Sequence, residues 1–451
     1  MRPTRKRLTC LMWIVLPSVL TLMSVAALAA TTKTVHEFSP LSHGANPSAN
    51  LISDSAGNLY GTTAKGGRYL EGTVFEIVKN ADGQWIEKVI HEFRLGTIDG
   101  QNPVDGLSID AHGNLYGITP VGGTNSYGVV FELSPSQSGQ WTESILYNFS
   151  GGGDGGDPNG SLLFDRAGNL YGTANFGGAY GAGVVYELYP SSNGWSEIVI
   201  YSFTGGSDGS NPGVGVVMDG AGNLYGATQY TNVTRNGSGP GILFELSPSN
   251  SGWTEKVLYT FQSVLPVAPP SLVMDGLGNL FGAGSYEDTV FELSPSASGQ
   301  WIETFLHYFG APGDGSGPAG VVFDNNGNLF GTTAYGGTGP GCYYGCGTVY
   351  ELTPDGNGRW TEKILHSFGN PADGMEPVSS VLLNAAGNVF GTTSEGGTGF
   401  GTVFELRTND GKHWKKSLKY DFSGTDGSTS TAVGSPRGCR SVNLYQLRSQ
   451  P

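Results

Sequence analysis

Four short apolar segments recur in a fixed order along the chain, and each is bounded by Gly, Pro, Asn, Asp or Ser. In one copy they read SLLFD, NLYGTA, VVYELYP and WSEIVIYSF. These segments are rich in Val, Ile, Leu, Tyr and Phe, and none shows a sustained period of 3.6 residues. The pattern therefore predicts short β-strands joined by tight turns.

The second segment belongs to a decapeptide, DRAGNLYGTA at 165–174, that recurs seven times. Its Asn stands at positions 58, 114, 169, 223, 279, 328 and 388. The period near 55 residues is typical of a repeat architecture, and four strands per repeat are typical of propeller blades. We predict an all-β fold: a seven-bladed β-propeller with four antiparallel strands per blade. A right-handed β-helix is the alternative, although its coils are usually much shorter.

The D-x-x-G-N start of the decapeptide predicts a hairpin turn. Asp can accept hydrogen bonds from the turn backbone, and Gly can adopt a positive φ. A single copy could equally be a metal site or a catalytic pair, but seven copies favour a structural role. The Glu residues of the repeated GTVFEL and W-T-E segments are interpreted in the same way, as cross-strand partners.

The GNLYGT, GTVFEL and W-T-E segments together resemble the GloVer-type tandem repeats of secreted bacterial proteins, over roughly residues 33–428. The resemblance implies export and a bacterial source, and it implies no activity. The hairpin motif is also similar to that of NHL-type propeller repeats, which implies the fold alone.

The first residues differ from the rest of the chain. Four basic residues precede an apolar run over 8–27, and the run ends in Ala-Leu-Ala. This order predicts a secretory signal peptide over residues 1–29; an uncleaved membrane anchor is the alternative. We expect a propeller over 30–422 and an irregular tail over 423–451, interpreted as a truncated or frameshifted end. The expected location is secreted, extracellular or at the cell surface.

Composition and charge narrow the classes of partner. The 451 residues include 74 Gly and only 14% charged side chains, with a formal net charge of −15. Loss of four basic residues with the signal peptide gives −15 − 4 = −19. Such an acidic chain is not expected to bind nucleic acid, and after cleavage we expect a monomer without membrane contact.

Two segments compete for one place in the ring. KTVHEF at 33–38 and the segment at 414–422 both match the fourth strand of a blade, yet the seventh blade has only one such place. The sequence leaves open which of them closes the propeller.

The loops between the fourth strand and the next first strand carry a repeated D-G-x-x-P element. Its Asp residues are Asp99, Asp154, Asp208, Asp314 and Asp373. A turn role explains them, and calcium is a possible cofactor because these loops offer carboxylates and carbonyls. No loop supplies a full ligand set, so no residue is assigned to a metal.

The loops between the second and third strands vary in length and bring aromatic residues to the same predicted face. The candidate binding residues among them are Tyr69, Tyr127, Tyr180, Tyr230, Tyr335, Tyr343 and Tyr344, with Phe176 and Tyr286 nearby. Variable loops on a rigid scaffold often carry binding specificity. Cys342 and Cys346 flank a Tyr-Tyr-Gly turn, and in an exported protein they predict a local disulfide.

Three functions stay open at this point. The first is a binding module for a glycan or a surface protein. The second is a carbohydrate-active hydrolase or lyase that uses an Asp of the channel mouth. The third is a structural or adhesive surface protein. No standard enzyme motif is present, and catalytic residues are not identified.

Overall fold

The computed structural model describes residues 32–37, 43–96, 98–234, 237–262, 271–284, 288–408 and 414–415. Regular structure in these ranges is β-strand, apart from one short 3-10 helix at Pro371–Asp373. None of these residues lies in a helix able to cross a membrane. The predicted signal peptide and C-terminal tail lie outside the described residues.

Seven antiparallel sheets follow one another along the described chain as blades. Blades 1 to 6 have their strands in sequence order, whereas the N-terminal strand of the chain pairs at the outer edge of blade 7. The strands are Ile52–Ser53, Leu59–Thr63, Thr73–Lys79 and Trp85–Glu92 in blade 1; Ser108–Ile109, Leu115–Thr119, Val129–Pro135 and Trp141–Asn148 in blade 2; Gly156–Phe164, Leu170–Phe176, Val184–Ser191 and Gly194–Ser202 in blade 3. Blade 4 contains Ser210–Pro212 and Val217–Met218 as a divided first strand, then Leu224–Thr234, Ile242–Ser249 and Gly252–Thr260.

The remaining blades continue the pattern. They are Leu272–Met274, Leu280–Gly284, Thr289–Pro295 and Trp301–Tyr308 in blade 5; Gly315–Phe323, Leu329–Gly336, Thr348–Pro354 and Trp360–Ser367 in blade 6; Leu382–Leu383, Val389–Thr393 and Thr402–Thr408 in blade 7. Short ribbons add Gly44–Ala45 with Lys65–Gly66, Gly100–Gln101 with Val121–Gly122, and Gly237–Gly239 beside blade 4. The predicted seven-bladed, all-β propeller is confirmed.

Both competing segments contribute to the fourth strand of blade 7. The N-terminal strand Thr32–Glu37, called the closing strand below, pairs with the third strand from Leu406 to Thr402. Trp414 and Lys415 pair with the other end of that strand, at Thr408 and Arg407. The closing strand therefore joins the first part of the chain to the last blade, and the ring closes by hydrogen bonds between strands.

The hydrophobic core consists of seven clusters, one at each junction of adjacent blades. The cluster between blades 7 and 1, for example, combines Phe390 and Val403 with Leu51 and Phe75. Because the junction of blades 7 and 1 also buries aromatic and aliphatic side chains, burial of apolar surface continues around the whole ring.

Aromatic pairs between blades explain why the repeated motifs occur together. The aromatic residue of each decapeptide packs against the Trp that starts the fourth strand of the next blade. The ring centroids lie 5.9–6.4 Å apart in the pairs Tyr60–Trp141, Tyr116–Trp195, Tyr171–Trp253, Tyr225–Trp301, Phe281–Trp360, Phe330–Trp414 and Phe390–Trp85. Each junction thus combines the decapeptide aromatic residue of one blade with the Trp of the next blade.

The D-x-x-G-N motif forms the hairpin turn expected from the sequence. Asp165 accepts hydrogen bonds from the backbone N–H of Ala167 at 2.8 Å and of Asn169 at 2.9 Å, and also from the Asn169 amide. Gly168 has φ +88°, a region that favours glycine. The Asp and Asn side chains, which in a single copy could have been a metal site or a catalytic pair, therefore hold the turn by hydrogen bonds.

Candidate functional site

Loops that follow the second and fourth strands lie on one side of the propeller, called the loop face below. The two kinds of loop are joined by backbone hydrogen bonds. Gly123 N donates to the Asp99 carbonyl at 2.8 Å, and Gly178 N donates to the Gly152 carbonyl at 2.9 Å. The repeated Asp residues and the variable loops therefore share a face, as predicted.

The five predicted Asp side chains are held within this face. Asp99, Asp314 and Asp373 are buried, and Asp154 and Asp208 are part-buried. Asp99 accepts from Arg94 N at 3.0 Å, and Asp208 accepts from Thr204 N at 2.8 Å. Such bonds support the turn role. None of the five is among the described residues that line the central channel.

The same Asp residues belong to clusters that join neighbouring blades. His91 Nε2 lies 3.4 Å from Asp99 Oδ1 and 3.4 Å from Oε1 of Glu143, which comes from the next blade. His307, Asp314 and Glu362 repeat this arrangement. In other blades a Tyr replaces the His: Tyr147 donates to Asp154 and Tyr201 to Asp208, each at 3.1 Å.

The two repeated Glu motifs play different roles. Glu76, from the GTVFEL-type strand, accepts hydrogen bonds from Tyr60 and Lys88 of its own blade, both at 3.1 Å. This confirms the predicted cross-strand role. The Glu of W-T-E instead reaches the preceding blade, as Glu143 does toward His91.

Six of the seven candidate tyrosines are exposed on the loop face. The residues are Tyr69, Tyr127, Tyr180, Tyr335, Tyr343 and Tyr344. Tyr343 and Tyr344 are 90% and 75% exposed, and their ring centroids lie 4.8 Å apart with the planes at 89°. Tyr230 is part-buried, Phe176 packs against Tyr127 at 5.8 Å, and Tyr286 lies outside the described residues.

A disulfide holds the most exposed tyrosines. Cys342 and Cys346 are bonded, with their Cα atoms 5.3 Å apart, and Tyr343 and Tyr344 lie between them. Cys346 is buried in the junction of blades 6 and 7. The tyrosine pair is therefore presented on a loop that is anchored in the core.

The first strands of all seven blades line a central channel of about 620 Å³. Its walls are mostly small and aliphatic side chains. The polar ones are Ser48, Asn50, Asp105, Asn159, Ser161, Ser271, Ser379 and Ser380. Asp105 is the single ionisable residue among the described lining residues.

Asp105 has an environment that no other repeat reproduces. Burial raises its pKa to about 6, opposed by a hydrogen bond from the Gly160 backbone N–H and assisted by the charge of Asp157. Its Oδ2 has no hydrogen-bond partner among the described residues. The corresponding positions in other blades carry small or aliphatic residues, such as Ala49, Val214 and Ser379.

The sequence can now be placed among known proteins. The model of the Gloeobacter/Verrucomicrobia repeat matches residues 21–145, 82–289 and 284–433. The chain belongs to this repeat family. The resemblance to GloVer-type repeats is confirmed, and no curated protein matches the sequence.

Several solved structures are similar to this chain at low identity. A catalytically inactive virginiamycin B lyase from Staphylococcus aureus, with quinupristin, is 12% identical with a TM-score of 0.51, covering 83% of this chain and 98% of its own. A protein from Lactobacillus plantarum is 14% identical (TM-score 0.46; 71% and 84% covered). A luciferin-regenerating enzyme is 15% identical (TM-score 0.43; 69% and 92% covered). At these identities the likeness shows the fold alone.

In this member of the Gloeobacter/Verrucomicrobia repeat family, the clusters between blades raise the pKa values of their Glu residues. Burial is the largest cause at each site, and the neighbouring Asp adds to it. The pKa rises to about 7 for Glu143, Glu197 and Glu255, and to about 8 for Glu362. Burial alone would lower the pKa of His91, but its hydrogen bond to Asp99 raises it.

Two features of the chain, each of which occurs once, are missed by the sequence analysis. The first is Asp105, which an alignment of the seven repeats shows as the one acidic residue at a small or aliphatic position. The second is the meeting of His36, His43 and Glu87, whose ligand atoms lie within 4.8 Å of one another. His43 stands where the D-G-x-x-P element of other loops has its Asp. This difference is the signal in the sequence that could have pointed to the cluster.

Proposed function

We propose that the protein is an exported binding module that holds a glycan, free or carried on a surface, at its loop face. The observation that carries this proposal is the group of exposed tyrosines on that face, above all Tyr343 and Tyr344. Large aromatic side chains exposed together on one face are typical of binding surfaces.

The geometry of the tyrosine pair suits a sugar ring. A flat aromatic face packs against the C–H groups of a pyranose, while the phenol hydroxyl can bond to sugar hydroxyls. Because the two ring planes stand at 89°, they offer one face and one edge to the same ligand. The disulfide limits the movement of this loop, which lowers the entropy lost on binding.

Export is part of the same proposal. The basic and apolar start of the chain is typical of a signal peptide, and a disulfide is typical of an oxidising compartment. These features support a location outside the cytoplasm or at the cell surface.

Replacing Tyr343 and Tyr344 by Ala is expected to weaken glycan binding by at least about tenfold, since two stacked contacts of about 1 kcal/mol each are lost. The exported chain would be screened on a glycan array with and without calcium, and the affinity for a bound glycan then measured by calorimetry. Leu277→Ala is the control, because Leu277 is 85% exposed but lies in the hairpin turn between the first and second strands of blade 5, on the side opposite the loop face.

Two results would contradict the proposal. One is the absence of any bound glycan in both calcium conditions, which would favour the structural or adhesive function. The other is an equal loss of affinity in Leu277→Ala, which would show that the loop-face tyrosines have no special role.

The second candidate function is a hydrolase or lyase, and Asp105 is the observation that favours it. A carboxyl group with a pKa of about 6 can donate a proton near neutral pH. If the channel is catalytic, Asp105→Asn is expected to lower the turnover of a glycan substrate by about 100-fold or more. Tyr343→Ala would raise KM instead. Unchanged turnover in Asp105→Asn would exclude this function for the channel.

A further inference from the structure

The junction between blades 7 and 1 differs chemically from the other junctions. His36 lies on the closing strand, in register with Val403 of blade 7. His43 lies in the loop that enters blade 1, and Glu87 lies on the fourth strand of blade 1. This junction therefore offers two imidazoles and one carboxylate.

In five other loops the matching position is occupied by an Asp that has a different role. Asp99 accepts hydrogen bonds from Arg94 N at 3.0 Å and from Gly100 N at 2.7 Å. Asp314 is held in the same way by Gly310 N and Gly315 N. An imidazole at this position supplies a nitrogen ligand in place of a carboxylate that is tied to the backbone.

The three side chains converge on one point. His36 Nε2 lies 3.6 Å from Glu87 Oε2, and His43 Nδ1 contacts the same oxygen. One ligand atom from each residue lies within 4.8 Å of the others. Metal–ligand distances near 2.0–2.1 Å place tetrahedral ligands about 3.3 Å apart, so small side-chain rotations would complete the geometry.

Glu87 adds an independent indication of a ligand. Its side chain has 0% exposure, against 18% for Glu143 and 16% for Glu362 in the comparable clusters. Its Oε1, like the Oε1 of those two residues, has no hydrogen-bond partner among the described residues. A buried carboxylate oxygen without a partner is costly. A bound cation would satisfy it.

We propose that His36, His43 and Glu87 bind one zinc ion, which fastens the closing strand to blade 1. Two His and one Glu form a known type of zinc ligand set that leaves a fourth position for water. The half-exposed His43 gives the ion access from solvent. Calcium fits poorly, because it requires six to eight oxygen ligands and this cluster has one carboxylate.

Binding at this place stabilises ring closure. The three ligands come from the closing strand, the following loop and blade 1, so an ion bound by them fixes the closing strand relative to blade 1. An ion that binds the folded chain alone raises its stability by mass action. The site thus holds the closing strand in the position from which it pairs with the third strand of blade 7.

The test uses the untagged full mature chain, treated with chelator and titrated with zinc chloride. Calorimetry is expected to give one zinc per chain, and zinc at 100 times its Kd is expected to raise Tm by about 3–5 °C. Cobalt substitution provides a readout that needs no variant, since tetrahedral Co²⁺ has a characteristic visible absorption.

His43→Asp restores the residue used at the matching positions in other loops, so the fold is expected to persist, while zinc binding and the Tm increase are lost. Glu87→Gln is the second variant. Glu143→Gln, at the same position of blade 2, is the control and should bind zinc like the unaltered chain. The proposal is overturned if the unaltered chain shows no saturable zinc binding, if His43→Asp and Glu87→Gln bind zinc unchanged, or if calcium and magnesium raise Tm equally.

Discussion

Raising the pH from about 5.5 to 8.5 is expected to lower the free energy of unfolding by about 3 kcal/mol, and Tm by about 5 °C. The cause is the set of inter-blade Glu residues, with pKa values of about 7 for Glu143, Glu197 and Glu255 and about 8 for Glu362. In the unfolded chain the pKa of each is near 4.5.

The sign follows from proton uptake. Between pH 4.5 and about 7–8 the folded chain binds more protons at these sites than the unfolded chain, so its stability decreases as pH rises. The stabilising contribution is fully present below pH 4.5 and lost above the folded pKa. Each pKa unit corresponds to about 1.4 kcal/mol, but partial exposure and screening reduce the effect to about 1 kcal/mol per site.

His36 opposes this trend over part of the range. Burial, assisted by the charge of His43, lowers the pKa of His36 to about 3. The unfolded chain therefore gains a proton there below about pH 6.5, which destabilises the fold toward acid pH. Its contribution is about 1 kcal/mol at pH 5.5 and is smaller than the sum over the four Glu residues.

Glu197→Gln combined with Glu255→Gln is expected to remove about half of the pH dependence and to raise Tm at pH 8.5. Gln is neutral at every pH and has nearly the same shape. Thermal unfolding at pH 5.5, 7 and 8.5 gives the measurement, with Asp82→Asn in an exposed turn as the control. A Tm that stays level or rises toward pH 8.5 would contradict the assigned cause.

The blades could be predicted because every blade uses the same local chemistry. Turn residues such as Asp165 and Gly168 bond within five positions, so their pattern in the sequence is also their pattern in space. Seven repetitions of four apolar segments then leave few architectures that bury them.

The inter-blade clusters could not be predicted in the same way. His91 and Glu143 are 52 positions apart in the sequence. The recurrence of each residue can be explained by a structural role within its own strand. Repetition shows that both residues recur, but not that they meet across a junction. Only the packing angle between blades brings the ion pair together.

The channel residue Asp105 was missed for a different reason. It lies between a loop motif and a short first strand, where the repeats share little sequence. The pKa of a side chain at such a position is set by what surrounds it, and for Asp105 the named neighbours, Gly160 and Asp157, come from the next blade. The local sequence therefore carries little information about its pKa.

Deleting residues 30–37 is expected to lower Tm by about 10 °C or more and to promote aggregation. The deletion removes the closing strand, leaves Thr402–Leu406 of blade 7 without its pairing partner, and exposes a sheet edge. It also removes His36 from the junction with blade 1. Thermal unfolding and light scattering of the purified chain measure both effects.

The matched deletion removes residues 416–451 and should change Tm by less than about 2 °C, since the closing strand already occupies the partner positions of Val403, Phe404 and Leu406. The reverse result, a stable chain without 30–37 and an unstable one without 416–451, would show that the C-terminal segment closes the ring. Leu418, Tyr420 and Phe422 match the fourth-strand spacing of blade 2, so this segment is a credible substitute. A chain that lacks both segments completes the test. If this chain is less stable than the one that lacks only 30–37, the C-terminal segment can take the place of the closing strand beside blade 7.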